Sequence, residues 1–100
     1  MKFEFIGLPE LDESSLKTIS LLAEKTIRRY LFSRIPKRAF LNFNLIIEVD
    51  FQDGLVINVD IDAVLHPKYN FDLECLIENA VSKCFIEIEN WLRGFKNVGN

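Results

Sequence analysis

Between Leu41 and Leu65 the chain alternates apolar and polar residues with a period of two, and only a half-buried pair of strands satisfies that pattern. Leu41, Phe43, Leu45, Ile47, Val49 and Phe51 fall on one face. Asn42, Asn44, Glu48 and Asp50 fall on the other. After a turn, Leu55, Ile57, Val59, Ile61, Ala63 and Leu65 alternate with Asn58, Asp60 and Asp62 in the same way. Cross-strand partners must point to one face, so parity fixes the register. A two-residue Asp53-Gly54 loop would set apolar residues opposite polar ones. A three-residue loop, Gln52-Asp53-Gly54, pairs Phe51 with Leu55, Val49 with Ile57 and Ile47 with Val59, with Gly54 in the left-handed conformation that glycine adopts without steric cost.

The flanking segments carry helical periodicity. Leu16, Ile19, Leu22, Ala23, Ile27, Tyr30 and Leu31 recur at steps of three and four, and Pro36 requires this helix to end by Ile35. Asp12, Ser14 and Ser15 compete as its N-cap. After His66-Pro67, Asn70 or Asp72 caps a second helix whose apolar set runs from Leu73 through Leu76, Ile77, Ala80, Val81, Cys84, Phe85, Ile88, Trp91, Leu92 and Phe95. Gly94 reads as the residue just past its end. Lys2 to Ile6 alternate weakly, which permits a short edge strand. The expected fold is therefore one α+β domain spanning residues 1–100, of order (β)αββα, with an antiparallel hairpin sheet and two amphipathic helices packed on one face.

Composition narrows the functional classes. Apolar types make up 49% of the 100 residues, with nine Phe and one Trp, a surplus that small chains often bury against another subunit. The second-helix stripe is wider than one sheet face needs, which makes Phe85, Ile88, Trp91, Leu92 and Phe95 the candidate oligomer interface. A net charge of -3 argues against a globally basic nucleic-acid binder. No apolar run is long enough to span a bilayer, and the start lacks the apolar core of a secretion signal, so a cytoplasmic protein without a membrane partner is expected. Cys75 and Cys84, nine residues apart on one helix, are separated by about 13 Å along its axis and cannot bridge. As free, buried thiols they fit a reducing compartment.

Three constellations invite chemistry. Lys25, Arg28, Arg29, Arg34, Lys37 and Arg38 form a basic run without an acid between them, a candidate dock for phosphates or for a protein partner, with Tyr30, Phe32 or Phe40 available to stack on bases if exposed. Cations at a helix C-terminus also favour the macrodipole, so the run has a purely structural reading as well. From Glu48 to Asp62 there are five acids and no base, with Glu48 diagonal to Asp60, but no ordered ligand pattern for a hard cation. His66 is the only histidine, and its spacing to the cysteines matches no zinc pattern. No catalytic residue, cofactor or metal is expected.

Leu8-Pro9-Glu10-Leu11, the run INVDIDAVLHP from Ile57 to Pro67 and the helix LECLIENAVSKCFIEIE together resemble a small archaeal family of uncharacterised proteins of the same helix, hairpin, helix order. The resemblance covers nearly the whole chain and rests on strand alternation and helix periodicity. It implies an αββα fold and a housekeeping role in archaeal cytoplasm, its members often being encoded near a prefoldin subunit, and it supplies no catalytic residues. Phe3-Glu4-Phe5-Ile6 and the dense basic run map onto no family role. The leading expectation is a non-enzymatic homo-oligomeric interaction or assembly module. An RNA- or DNA-binding protein using Lys25 to Arg38 stands second.

Overall fold

The structure, a computed structural model, describes residues 1–5, 11–51 and 54–98. The order is β1 (Lys2–Phe5), α1 (Glu13–Arg34), a 3-10 turn (Lys37–Ala39), β2 (Phe40–Phe51), β3 (Leu55–Leu65) and α2 (Leu73–Val98). The strands form one antiparallel sheet in the order β1-β3-β2. Lys2 to Phe5 do add an edge strand, pairing with the turn-proximal end of β3 from Lys2↔Asn58 to Phe5↔Leu55. Ile6 lies outside the described residues.

The hairpin has the register that parity requires: Phe51↔Leu55, Val49↔Ile57 and Ile47↔Val59. The geometry of its turn, including the left-handed Gly54, rests on Gln52 and Asp53, which are not among the described residues. At the other end the alternation fails. The register shifts between Phe40 and Asn42, so Leu41 is an extra residue in β2 and points to solvent at 63% exposure. A β-bulge inserts one unpaired residue and reverses the facing of everything before it. Phe40 takes the inward place expected of Leu41, and its ring meets Phe32 and Phe43 at 5.6 and 5.3 Å.

Both helices lie on the apolar face of the sheet. Asp12 caps α1, its carboxylate accepting the Ser15 N–H at 2.8 Å, and that bond holds its pKa below the usual aspartate value. The helix stops as Pro36 dictates, with Ile35 as its C-cap. Asp72, rather than Asn70, caps α2 by accepting the Cys75 N–H at 3.2 Å. Gly94 does not end α2: the helix continues to Val98 and nothing lies within 4 Å of the place a Cβ would occupy, so neither a turn nor a close approach calls for glycine there.

Ile19, Ala23, Ile27 and Leu31 from α1, Leu55, Ile57 and Val59 from β3, and Ala80, Val81, Cys84, Ile88 and Leu92 from α2 form a single buried core. α1 packs against β2 and α2, while Phe85 of α2 stacks on Phe3 of β1 at 5.0 Å. The elements match in length, since 12 strand residues and 26 helical residues each reach about 40 Å. The molecule is accordingly elongated, 52 × 21 × 20 Å. Among the described residues no helix lies over the other face of the sheet, where Asn44, Ile46, Glu48 and Asp50 are exposed.

Candidate functional site

A rotation of about 100° per helical residue separates what looks like one basic run in the sequence. Arg28 turns toward β2, where its guanidinium lies 5.4 Å from the centre of the Phe43 ring and its Nε donates to Glu24 at 3.1 Å. That pair is half exposed and contributes little to stability. Lys37 and Arg38 follow the helix: Lys37 lies 5.2 Å from the Phe32 ring centre and Arg38 Nε donates to the Tyr69 hydroxyl at 3.3 Å. Lys25, Arg29 and Arg34 instead line a groove between α1 and α2, to which α2 adds Lys83 and Glu87.

That groove has a volume of about 450 Å³ and is also lined by Leu22, Thr26, Tyr30 and Ser33. Among the described residues none of its four cations makes an ion pair. Its aromatic ring is already engaged. The Arg34 guanidinium sits 3.8 Å from the Tyr30 centroid and the Lys83 ammonium 6.0 Å from it, cation–π distances. Phe32 and Phe40 pack with Phe43 in a cluster of centroid distances from 5.2 to 5.6 Å. The three rings considered for base stacking are therefore half-buried and occupied, which leaves phosphate contact as the chemistry this groove offers.

The candidate oligomer residues are mostly spent inside the protomer. Ile88 and Leu92 are fully buried, because the wide α2 stripe serves β3 on one side and α1 on the other. Neither is available to another chain. Phe85 and Trp91 are half-buried against the core, and the side chain of Phe95 lies outside the described residues. The exposed large apolar side chains lie elsewhere, at Leu21, Leu41, Ile46, Val64 and Ile86 among others.

Reactive groups are dispersed. Burial pushes the Cys84 thiol up to about 12 and makes it inert at neutral pH. Cys75 is exposed rather than buried, because it follows the cap on the solvent side of the first turn; its sulfur accepts from Asn79 at 3.7 Å. His66 Nδ1 accepts the Lys68 N–H at 3.2 Å in the loop after β3. On the open sheet face each acid is paired with a neutral residue, Asp62 with Asn44, Asp60 with Ile46, Glu48 with Asn58 and Asp50 with Val56. Glu48 is diagonal to Asp60 as the register requires, and among the described residues no three ligating side chains converge on one point.

These features belong to a shared architecture. The model of the DUF3194 family, described as a protein of unknown function, matches residues 8–91, which take in α1, the whole hairpin and most of α2. The chain belongs to this DUF3194 family. An uncharacterised protein of Pyrococcus furiosus is 28% identical over 92 residues, covering 92% of this chain and 83% of the relative. One from Thermococcus kodakarensis is 24% identical, covering 94% and 87%. A crystal structure from Thermococcus onnurineus NA1 superposes with a TM-score of 0.80 at 25% identity, covering 97% of each chain. The solution structure of a hypothetical protein from Methanothermobacter thermautotrophicus has the same fold, with a TM-score of 0.74 at 22% identity and coverage of 90% and 98%. The archaeal family and the α+β architecture expected from the sequence are thus those of the DUF3194 proteins.

Within this DUF3194 chain the sequence pattern left two things out. Lys83 joins the basic groove from a different helix, which only tertiary structure brings about. Ile46 stands on the polar face of β2 at 52% exposure, on a strand whose outer edge pairs with no other strand among the described residues. Its position on an even number was legible, and it is the apolar exception on that face of β2 between Asn44 and Glu48.

Proposed function

We propose that this DUF3194 protein is a non-enzymatic, cytoplasmic module that acts by self-association, with the free edge of β2 as the contact. The observation that carries the reading is the length of that edge, with which no other strand among the described residues pairs. β2 is the outermost strand of the sheet and runs for 12 residues. Proteins blunt such edges with lysines, prolines, bulges or a covering segment, because unpaired N–H and C=O groups recruit other strands. β2 contains no lysine and no proline, and its bulge sits at one end, at Leu41. An exposed edge of this kind is stabilised by pairing with another strand. The dispersal of His66, Cys75 and Cys84 supports a role without covalent chemistry. Among the described residues no helix is long and apolar enough to cross a membrane. Light scattering on the purified protein tests the reading: a mass of twice the 11.7 kDa of one chain, or a higher multiple, supports it. A monomer at tens of micromolar removes it.

The groove between α1 and α2 favours a second reading, docking of a single-stranded RNA backbone, because four cations without ion pairs line one cavity. Fluorescence anisotropy of a labelled mixed-sequence RNA should then show binding that weakens steeply with salt. Replacing Arg29, Arg34 or Lys83 with alanine should reduce the salt slope by about 0.7 for each phosphate that is no longer neutralised. Arg28→Ala, on the β2 side of the helix, should leave the slope unchanged. Absence of binding at low salt, or equal effects of all four substitutions, contradicts this reading.

A further inference from the structure

From the β2 edge we infer a specific assembly: a two-fold symmetric dimer in which β2 pairs antiparallel with β2 of a second copy, centred on Ile46, giving a continuous six-stranded sheet. The inference rests on the self-association reading and adds to it a register, an axis and a second point of contact.

The hydrogen-bonding parity of β2 follows from the opposite side of the sheet. Val59 donates its N–H to Met1 O at 2.8 Å and accepts from the Met1 ammonium at 3.0 Å, so both of its backbone groups point to β1. Backbone groups alternate in direction along a strand, so Asn58, Asp60 and Asp62 point to β2. Their partners Glu48, Ile46 and Asn44 therefore spend their backbone groups on β3. The groups of Phe43, Leu45, Ile47 and Val49 point out from the sheet. Phe51 agrees with this parity, its N–H being satisfied by the Asp50 carboxylate at 2.9 Å rather than by β3.

A second β2 must add to those odd-numbered residues, and like faces must coincide, so paired residue numbers sum to an even value. Centring the axis on Ile46 sets Leu45 opposite Ile47 and Phe43 opposite Val49 as hydrogen-bonded pairs. On the open face it sets Ile46 opposite Ile46, Asn44 opposite Glu48 and Asn42 opposite Asp50. Every acid then meets an amide and the exposed isoleucine meets itself. Centring on Leu45 opposes Ile46 to Asn44 and brings Asp50 to the bulge at Leu41, where no residue of the open face stands opposite it, and centring on Ile47 opposes Ile46 to Glu48. Centring on Glu48 opposes two carboxylates, which is unfavourable. The match of Ile46 with itself, together with an amide opposite each acid, selects Ile46.

The helix layer agrees independently. Arg28 and Phe32 of α1 contact Phe43, and Leu21 lies on the same stripe, seven residues before Arg28. Those seven residues advance about 10 Å along the helix, and the three from Phe43 to Ile46 advance about 10 Å along β2. α1 and β2 run in opposite directions, so Leu21 lies level with Ile46. Leu21 is 57% exposed and Ile46 52%. One axis beside both brings each next to its own copy, in the helix layer and in the sheet.

Single cysteines, placed in a Cys75→Ser background and oxidised, read the register. Ile46→Cys should form a disulfide-linked dimer, because a non-hydrogen-bonded antiparallel pair holds its side chains close. Asn44→Cys and Glu48→Cys should each stay monomeric on denaturing gels when oxidised alone and give the linked dimer when mixed. A dimer by light scattering whose Ile46→Cys variant does not cross-link, or whose Asn44→Cys variant links to itself, overturns this register while leaving self-association standing. A monomer by light scattering overturns both. Because Ile46 and both neighbours on that face are exposed, the cysteine variants are expected to keep the wild-type circular dichroism spectrum.

Discussion

Ile88→Ala is expected to lower the unfolding free energy by about 2–5 kcal/mol, a large fraction of the roughly 5–15 kcal/mol that holds a domain of this size together. Ile88 is fully buried in the core that joins both helices to β3. Deleting its side chain removes buried apolar area and leaves a cavity that neighbours from three elements fill only in part. Urea unfolding at one fixed protein concentration measures the loss, since association stabilises the folded state by mass action. The mass by light scattering should remain that of wild type, because Ile88 is spent within the protomer. Were Ile88 an interface residue, as the width of the α2 stripe by itself implied, truncation would change the mass and barely move the monomer's stability.

Ile46→Asp is expected to have the opposite signature. Ile46 is half exposed in one chain, so the substitution leaves the core intact and the circular dichroism spectrum unchanged. At the axis of the proposed dimer it would remove two half-buried isoleucines, together worth about 2 kcal/mol. It also opposes two carboxylates at the closest type of cross-strand pair. The Kd of the dimer should rise by roughly thirtyfold or more. Val64→Asp serves as the control: Val64 is comparably exposed, at 49%, but stands on β3, one strand in from the edge, and its replacement should leave the mass unaltered.

Much of the fold is legible because its strongest signals are periodic. The alternation from Leu41 to Leu65 carries both the hairpin and its register, since a slip of one residue would put Asp60 and Asp62 into the core. The same signal misplaces Leu41, because alternation cannot report a bulge; the aromatic Phe40 beside it competes for the inward site and wins by meeting Phe32 and Phe43. Gly94 misleads for a related reason. Glycine is a frequent helix terminator, but the chain beyond a buried Leu92 can stay helical when no turn is demanded. The candidate site was less legible. Arg28 and Arg29 are adjacent in the sequence yet point to different surfaces, one to β2 and one to the α2 groove. Lys83 enters that groove from the far side of the hairpin in sequence, which no local pattern announces. The width of the α2 stripe measured how many neighbours the helix has inside the protomer, not whether it meets another.

Amide hydrogen exchange along β2 is the sharpest test of pairing at this edge, because the sheet gives alternate residues different fates. Asn44, Ile46 and Glu48 bond to β3 and should exchange slowly whatever the oligomeric state. Phe43, Leu45, Ile47 and Val49 point away from β3, and no other strand among the described residues pairs with them. Self-association through this edge predicts that those four amides are protected in concentrated protein and lose protection on dilution, or on introducing Ile46→Asp. A strict alternation of slow even and fast odd amides at every concentration would contradict it.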